Sequence, residues 1–335
     1  MIMRRRTLAA VLLTSGLVVA MAGCGGASDT AGGGDGDGGD GENISLVAYS
    51  TPQVVYDEII PAFTATAAGS GVQVSTSFGP SGEQSRAVEA GLQADVVSFS
   101  IEPDITRLVK AGLVTDDWNA TPTKGRVTTS VVSFIVRPGN PKNIKTWDDL
   151  LKPGVEVITP NPFTSGAAKW NLLGAYAHGG LPYVEKLLTE HVKVQPKSGR
   201  EALQTFVGGK GDVLLSYEYE AITAQKKGEK VDLVVPDDTV RIDIDIATTT
   251  TATAAAKAFY DYILSEPAQL KFVDWGYRPV NAAVLAQTKS KFPTPKTLKT
   301  IDDLGGWTKV NDELFDPEKG TIAKLEESTG LTPTQ

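Results

Sequence analysis

The segment TPNPFTSGAAKWN, residues 159–171, has the composition of an anion site built from backbone groups. Four small residues, Ser165 to Ala168, open an apparent helix and leave several backbone N–H groups uncovered at its start. The helix macrodipole places about half a positive charge at this end, so the uncovered N–H groups favour an anion. Because Ser and Gly also begin helices for stability alone, an anion site requires matching features elsewhere in the chain.

Three further turns repeat this chemistry, each between an apparent strand and an apparent helix. They contain Ser50 and Thr51, Ser81 and Gly82, and Ser198, Gly199 and Arg200. In open α/β sheets, ligands bind where the carboxyl ends of the strands meet helix starts, so the four turns can converge on one ligand. None of the four turns places a carboxylate at its donor positions, since Glu83 and Glu201 come later in their helices.

Short apolar runs alternate with helical patterns along the chain, which predicts an α/β fold with a parallel sheet covered on both faces. The predicted strands are 44–50, 72–79, 94–100, 155–160, 192–196 and 211–217. The predicted helices are 53–67, 83–93, 102–112, 146–154, 165–180 and 199–209, and the residues after 250 are expected to be mainly helical. Two long extended runs, 127–138 and 233–250, stand apart from this alternation, and the first is long enough to pass between two lobes.

The N-terminal residues have the form of an export signal. Arg4 to Arg6 precede an apolar run from Leu8 to Ala22 that is too short to span a bilayer comfortably. Cys24 is the only cysteine of the sequence and follows Met-Ala-Gly, which resembles the lipobox of bacterial lipoproteins, although Met21 replaces the usual Leu. We therefore predict a lipoprotein signal peptide at 1–23, a lipidated Cys24, and a Gly/Asp-rich tether through residue 43; an ordinary cleaved signal is the alternative.

Composition and charge exclude several classes of function. The chain has a formal net charge of −8 and no Lys/Arg-rich patch interleaved with aromatics, so a nucleic-acid partner is not expected. His178 and His191 are the only histidines and lack the spacing of a zinc site, so neither a metal nor a cofactor is expected. We interpret Asp148-Asp149 as helix-start charge and the pair Glu218 and Glu220 as strand-end polarity, which leaves no constellation for an enzyme.

Several segments resemble the sulfate-binding proteins of ATP-driven sulfate/thiosulfate importers, in the lipid-anchored actinobacterial form. The resemblance runs from about residue 44 to 320 and is carried by FGPSGEQSRAVEAG, ADVVSFSIEPDITRLVKAGLV, VRPGNPKNIKTWDDLLKPGVEVITPNPFTSGAAKWN, GKGDVLLSYEYEA and DLGGWTK. It implies the two-lobed type II periplasmic binding protein fold, with the ligand in the cleft between the lobes. On this basis we expect lobe I at 44–130 with 243–332 and lobe II at 131–242.

The resemblance also implies which residues hold the anion by neutral hydrogen-bond donors. Carried over by position, they are Ser50, Ser81, Ser165, Gly166, Ala167, Gly199, Arg200 and Tyr217. Ala167 replaces a family glycine but keeps its N–H, and Arg200 is expected to lend charge from behind the amides. Tyr217 stands where some members have a tryptophan donor, and it is either a hydroxyl donor to the ligand or a lobe-packing residue.

A pocket that contains only donors favours fully ionised sulfate. Hydrogen phosphate would bury a hydroxyl without an acceptor, at a cost of about 1–3 kcal/mol. We therefore expect a monomeric receptor on the outer face of the cytoplasmic membrane that delivers sulfate or thiosulfate to permease subunits with an ATPase. The alternatives are a molybdate or phosphate receptor and an extracytoplasmic enzyme acting on sulfate esters. Replacing Ser165 by proline is expected to disrupt binding, because it alters the turn and removes an amide N–H.

Overall fold

In the computed structural model, which describes residues 42–331, eleven strands are present. They are β1 Asn43–Tyr49, β2 Gln73–Gly79, β3 Val96–Phe99, β4 Arg126–Val136, β5 Val157–Ile158, β6 Val192–Val194, β7 Val213–Tyr217, β8 Asp232–Val234, β9 Asp238–Thr248, β10 Arg278–Pro279 and β11 Thr297–Lys299. The β-branched runs predicted as strands account for most of them.

Two groups of three parallel strands form the ends of the sheet. The first strand group has the order β2-β1-β3 and the second has the order β7-β5-β6. Strands β9 and β4 lie between the two groups and run antiparallel to each other and to the flanking strands β3 and β7. The strands that alternate with helices therefore pair in parallel as predicted, and the two long extended runs add antiparallel strands between the groups.

Strand β4 changes partner along its length. Its residues up to Val131 pair with β9, and its residues from Val132 pair with β7. One strand thereby belongs to both halves of the molecule. This agrees with the expectation that the run 127–138 passes from one lobe to another.

Twelve α-helices pack around the strands in the described part of the chain. They are α1 Gln53–Thr64, α2 Ser81–Glu89, α3 Glu102–Lys110, α4 Trp147–Leu150, α5 Gly166–Lys186, α6 Gly199–Val207, α7 Glu218–Lys226, α8 Ala254–Leu264, α9 Glu266–Asp274, α10 Ala282–Thr288, α11 Gly306–Val310 and α12 Thr321–Ser328. Helices α1 to α3 contact strands of the first group, whereas α5 to α7 contact β7 of the second. Each half is therefore a sheet with its own helices.

Two helices differ from the sequence prediction. Helix α5 continues past Gly180, but that glycine has φ 68° and ψ −167°, so a kink stands where the helix was expected to end. Helix α7 was not predicted, although Glu218 and Glu220 in its first turn and Lys226 in its last are the charges that favour a helix. Glu218 and Glu220 follow the end of β7 as expected, but both are buried.

The predicted signal peptide, Cys24 and nearly all of the predicted tether lie outside the described residues. Within residues 42–331, no helix is both long enough and apolar enough to cross a membrane.

Candidate anion-binding site

The start of α5 presents two backbone donors and one hydroxyl. The N–H groups of Gly166 and Ala167 have no acceptor within the helix, because they belong to its first turn. The N–H of Ser165 donates to the carbonyl of Asn161 at 2.9 Å and is therefore used by the turn. Since the Ser165 side chain makes no capping bond, its hydroxyl is the group that this residue can offer to a ligand.

The start of α2 is held by a chain of three buried residues. The hydroxyl of Ser81 donates to Asp104 Oδ2 at 2.6 Å and accepts from the N–H of Ser100 at 3.1 Å. The Ser81 hydroxyl is thus used both as a donor and as an acceptor within the protein. The backbone N–H of Ser81 is the donor that this residue can offer to a ligand. The amide of Gly82, expected to be exposed, instead donates to the carbonyl of Thr164 at 3.1 Å, since the two helix starts lie against each other.

Contacts at Gly166 and Trp170 bring the start of α5 against the end of β3. A Cβ atom built on Gly166 would lie only 2.3 Å from Ser100 Oγ, so this close approach requires glycine. Four residues further on, the indole N–H of Trp170 donates to the carbonyl of Ser100 at 2.6 Å. Because Ser100 also binds Ser81, the starts of α2 and α5 share one neighbour.

The start of α6 meets both α5 and the turn between β1 and α1. A Cβ atom built on Gly199 would lie 3.5 Å from Thr51 Cγ2 and 3.8 Å from Ala167 Cβ. Ser198 caps α6 by accepting from the N–H of Glu201 at 3.2 Å, which leaves the N–H groups of Gly199 and Arg200 without an intrahelical acceptor. All four predicted turns therefore meet in one region.

Arg200 does not direct its guanidinium at the amides of its own helix. Its Nη1 donates to Gln53 Oε1 at 2.6 Å, and its Nη2 donates to the carbonyl of Ser50. Gln53 is the first residue of α1, and Ser50 lies in the turn that precedes it. Arg200 therefore connects the two halves of the molecule through side-chain and backbone groups.

Tyr217 ends β7 with a buried hydroxyl. The residue is 1% exposed, and its hydroxyl has no hydrogen-bond partner among residues 42–331. Burial raises its pKa well above the usual value, and the Ser100 hydroxyl nearby lowers it only in part. The Tyr217 hydroxyl is therefore a neutral, buried group beside Ser100, the residue that also contacts the starts of α2 and α5.

A buried carboxylate, Asp104, and a partly exposed cation, Lys169, lie close to the helix starts. Burial raises the pKa of Asp104, while the hydrogen bond from Ser81 and the charge of Lys169 lower it. Burial lowers the pKa of Lys169 to about 8, and its ammonium donates to Asn311 Oδ1 at 2.9 Å. Asp104 thus accepts from Ser81 and faces a cation, whereas Glu83 is partly exposed and Glu201 is exposed.

Other polar clusters lie apart from the four helix starts. His178 pairs with Asp238 at 2.6 Å and with Asp148 at 3.2 Å beside a cavity of about 210 Å³. The Nδ1 atom of His191 contacts the carbonyl of Val155 at 3.0 Å. Over residues 42–331, no group of three or more His, Cys, Asp or Glu side chains is arranged to hold a metal ion.

A family model described as bacterial extracellular solute-binding protein matches residues 44–278. The chain belongs to this family. It is 39% identical to the sulfate-binding protein of Synechococcus elongatus over 331 residues, which cover 93% of this chain and 94% of the relative. It is 32% identical to the thiosulfate-binding protein of Escherichia coli over 277 residues, which cover 77% of this chain and 82% of the relative.

A solved structure, the sulfate-binding protein SubI from Mycobacterium tuberculosis, has the same fold. Its TM-score is 0.80 at 51% sequence identity, and the match covers 82% of this chain and all of that one. The described part of this family member therefore has the two-lobed type II periplasmic binding protein fold predicted from the sequence. The two strand groups with their helices form the halves of this fold.

Proposed function

We propose that this protein is an extracytoplasmic receptor that captures sulfate and delivers it to an ABC permease for import. The observation that carries the proposal is the convergence of four helix starts with neutral donors in one region between the two halves. The similarity to proteins named for sulfate and thiosulfate binding supports the same ligand class. Helix starts bind oxyanions without a buried ion pair, which avoids a desolvation penalty of several kcal/mol per ion.

We assign the donors of the proposed site from the contacts described above. The N–H groups of Ser81, Gly166, Ala167 and Gly199, with the hydroxyls of Ser165 and Tyr217, would hold the sulfate oxygens. The N–H of Ser50 is kept as a donor on the family resemblance. Arg200 would act through its contacts with Ser50 and Gln53 rather than as a direct ligand.

Selectivity for sulfate over hydrogen phosphate would follow from the lack of an acceptor for the phosphate proton. Asp104 is a buried carboxylate beside the start of α2, and it already accepts from Ser81 at 2.6 Å. A protonated oxyanion would therefore bury an unpaired hydroxyl against donors, at a cost of about 1–3 kcal/mol. Thiosulfate has the same acceptor character and is the second ligand that this site would take.

We further propose that the lobes comprise residues 44–130 with 243–332 and residues 131–242. The change of partner in β4 at Val131 and Val132 supports this division. Helix α12 contacts α5, and Gln195 donates to Glu326 at 2.8 Å, so the C-terminal residues also reach the second lobe. Lipidation of Cys24 would anchor this monomeric receptor to the outer face of the cytoplasmic membrane.

Isothermal titration of the purified protein with sulfate, thiosulfate, molybdate and phosphate tests the ligand assignment. We expect tight binding of sulfate and no heat of binding with phosphate at neutral pH. Binding of phosphate without sulfate would overturn the assignment. Hydrolysis of an aryl sulfate by the purified protein would instead favour an enzyme acting on sulfate esters.

A further inference from the structure

Tyr219 carries a buried hydroxyl that joins the two halves of the molecule and to which the proposed sulfate site gives no role. The residue lies in the first turn of α7, in the second half, and is fully buried. Its hydroxyl donates to the Tyr49 hydroxyl at 3.1 Å and bonds with Thr51 Oγ1 at 2.9 Å, and both partners are buried residues of the first half. Because a hydroxyl has one proton, Tyr219 accepts from Thr51 while it donates to Tyr49.

The orientation of the Tyr219 ring is fixed by the chain at the start of β10. The ring stacks on that of Tyr277, with 3.7 Å between the centroids and 14° between the planes. The two adjacent residues also contact each other, since the buried Glu218 accepts from Arg278 Nε at 2.6 Å and from its Nη2 at 3.0 Å. These contacts hold the start of α7, so the Tyr219 hydroxyl meets Thr51 in one orientation.

The turn that Tyr219 contacts is one of the four turns that meet at the proposed site. It contains Ser50 and Thr51, and the start of α1 that follows has no side-chain capping bond. The Thr51 hydroxyl is therefore bound by Tyr219 and not by its own helix. The second half thus holds this turn at two points, because Arg200 of α6 donates to the Ser50 carbonyl while Tyr219 of α7 accepts from Thr51.

Tyr219 also lies beside a proposed ligand donor. Tyr217 precedes it by two residues, and the centroids of the two rings are 5.1 Å apart. The short segment 217–219 therefore contains the hydroxyl proposed to bind the anion and a second hydroxyl that holds the opposite side of the site.

We propose that Tyr219 is a positioning residue of the sulfate site, whose hydroxyl keeps the turn at Ser50 and Thr51 in one half aligned with Tyr217 in the other. This inference rests on the proposed function, because it assigns the contact to the alignment of groups around the anion. In this role Tyr219 does not contact sulfate. Without its hydroxyl, the turn would have to be ordered when sulfate binds, and that ordering would cost affinity.

The test is the sulfate affinity of the full chain, measured by isothermal titration. Tyr219→Phe keeps the ring that stacks on Tyr277 and should raise the sulfate dissociation constant about three- to tenfold, the range expected for a hydrogen bond between neutral groups. Tyr183→Phe is the matched control, because the buried Tyr183 hydroxyl donates to the Trp147 carbonyl at 2.5 Å, away from the helix starts. Both variants should lower the thermal midpoint, and only Tyr219→Phe should change the dissociation constant.

Variants of Thr51 show whether Tyr219 acts through the turn. Thr51→Val removes the hydroxyl and should weaken sulfate binding, whereas Thr51→Ser keeps a hydroxyl and should bind sulfate more tightly than Thr51→Val. In the Thr51→Val background, Tyr219→Phe should weaken binding less than it does alone. Unchanged affinity in Tyr219→Phe, an equal loss in Tyr183→Phe, or additive effects of the Thr51 and Tyr219 substitutions would overturn this inference alone. Absence of sulfate binding by the unmodified protein would overturn the proposed function.

Discussion

The Tyr217 hydroxyl decides whether this residue is a ligand donor or a packing residue. It is buried and unpartnered within the described chain, and it lies beside Ser100 at the meeting point of α2 and α5. A residue kept only for packing gains nothing from such a hydroxyl, since an unpartnered polar group costs free energy when it is buried. The unpartnered hydroxyl therefore favours the donor role.

Tyr217→Phe should weaken sulfate binding by about ten- to hundredfold, because a hydrogen bond to a charged group contributes about 1.5–3 kcal/mol. The thermal midpoint of the unliganded protein should not fall, since the removed hydroxyl has no protein partner. Tyr56→Phe, which also removes a buried and unpartnered hydroxyl, should leave sulfate affinity unchanged. Titration calorimetry of the three proteins checks this, and equal affinities would assign Tyr217 to packing.

Residue-scale prediction from sequence succeeds where the signal is local. The turns at Ser81, Ser165 and Ser198 were recognisable because the composition of a helix start depends on neighbouring residues. The burial of Glu220 and the contact between Ser81 and Asp104 were not recognisable, because each depends on an element that is distant in sequence. Such contacts appear only when the fold brings the elements together.

At the scale of elements, the position of each helix start depends on how closely its backbone can approach the neighbouring strand or helix. Gly166 lies against Ser100 with no room for a Cβ atom, whereas Gly199 faces Thr51 and Ala167 at ordinary contact distances. A larger side chain should therefore be tolerated at Gly199 and not at Gly166, although each glycine is the first residue of a helix at the proposed site.

Gly166→Ala should weaken sulfate binding by about five- to hundredfold, because its Cβ atom would force α5 away from Ser100 at an overpacking cost of about 1–3 kcal/mol. Gly199→Ala should bind sulfate within about twofold of the unmodified protein, since its Cβ atom meets methyl groups at 3.5 and 3.8 Å. Calorimetric titration of both variants measures the difference. Equal losses in the two variants would contradict the placement of α5 against β3.

Hydrophobic periodicity predicts the order of strands and helices along the chain, but it does not predict whether paired strands run parallel or antiparallel. Strands β4 and β9 were predicted as extended runs, and their antiparallel pairing became visible only in the fold. Hydrophobic periodicity predicts which residues of a strand are buried, but it does not predict which other strand pairs with it or in which direction. Helix α7 was missed because Tyr217 to Tyr219 continue the β pattern of the strand before it.

On the scale of the whole molecule, polar contacts join the two halves around the proposed site. The Trp170 indole donates to the Ser100 carbonyl, Gly82 donates to the Thr164 carbonyl, and Arg200 donates to the Ser50 carbonyl. These donors would be satisfied by water if the halves separated, so each contact contributes only about 1 kcal/mol. The contact between the halves is thus stabilised by several small contributions, which a ligand bound between them would reinforce.

Trp170→Phe should reduce sulfate affinity about fivefold by removing one such hydrogen bond. Trp147→Phe is the matched control, since the buried Trp147 indole donates to the Asp238 carbonyl at 2.8 Å, away from the helix starts. Both variants should lower the thermal midpoint, and only Trp170→Phe should change the dissociation constant. Equal effects on affinity would show that Trp170 acts through stability alone.

The position of Trp170 also gives the protein an internal optical probe. Its ring meets Trp307 edge to face with 4.8 Å between the centroids, and its indole N–H is held by Ser100 from the other half of the molecule. Separation of the halves would exchange that carbonyl for water and change the polarity around an excited indole. The contribution of Trp170 to the emission of the protein, which has five tryptophans, should therefore change if the halves separate.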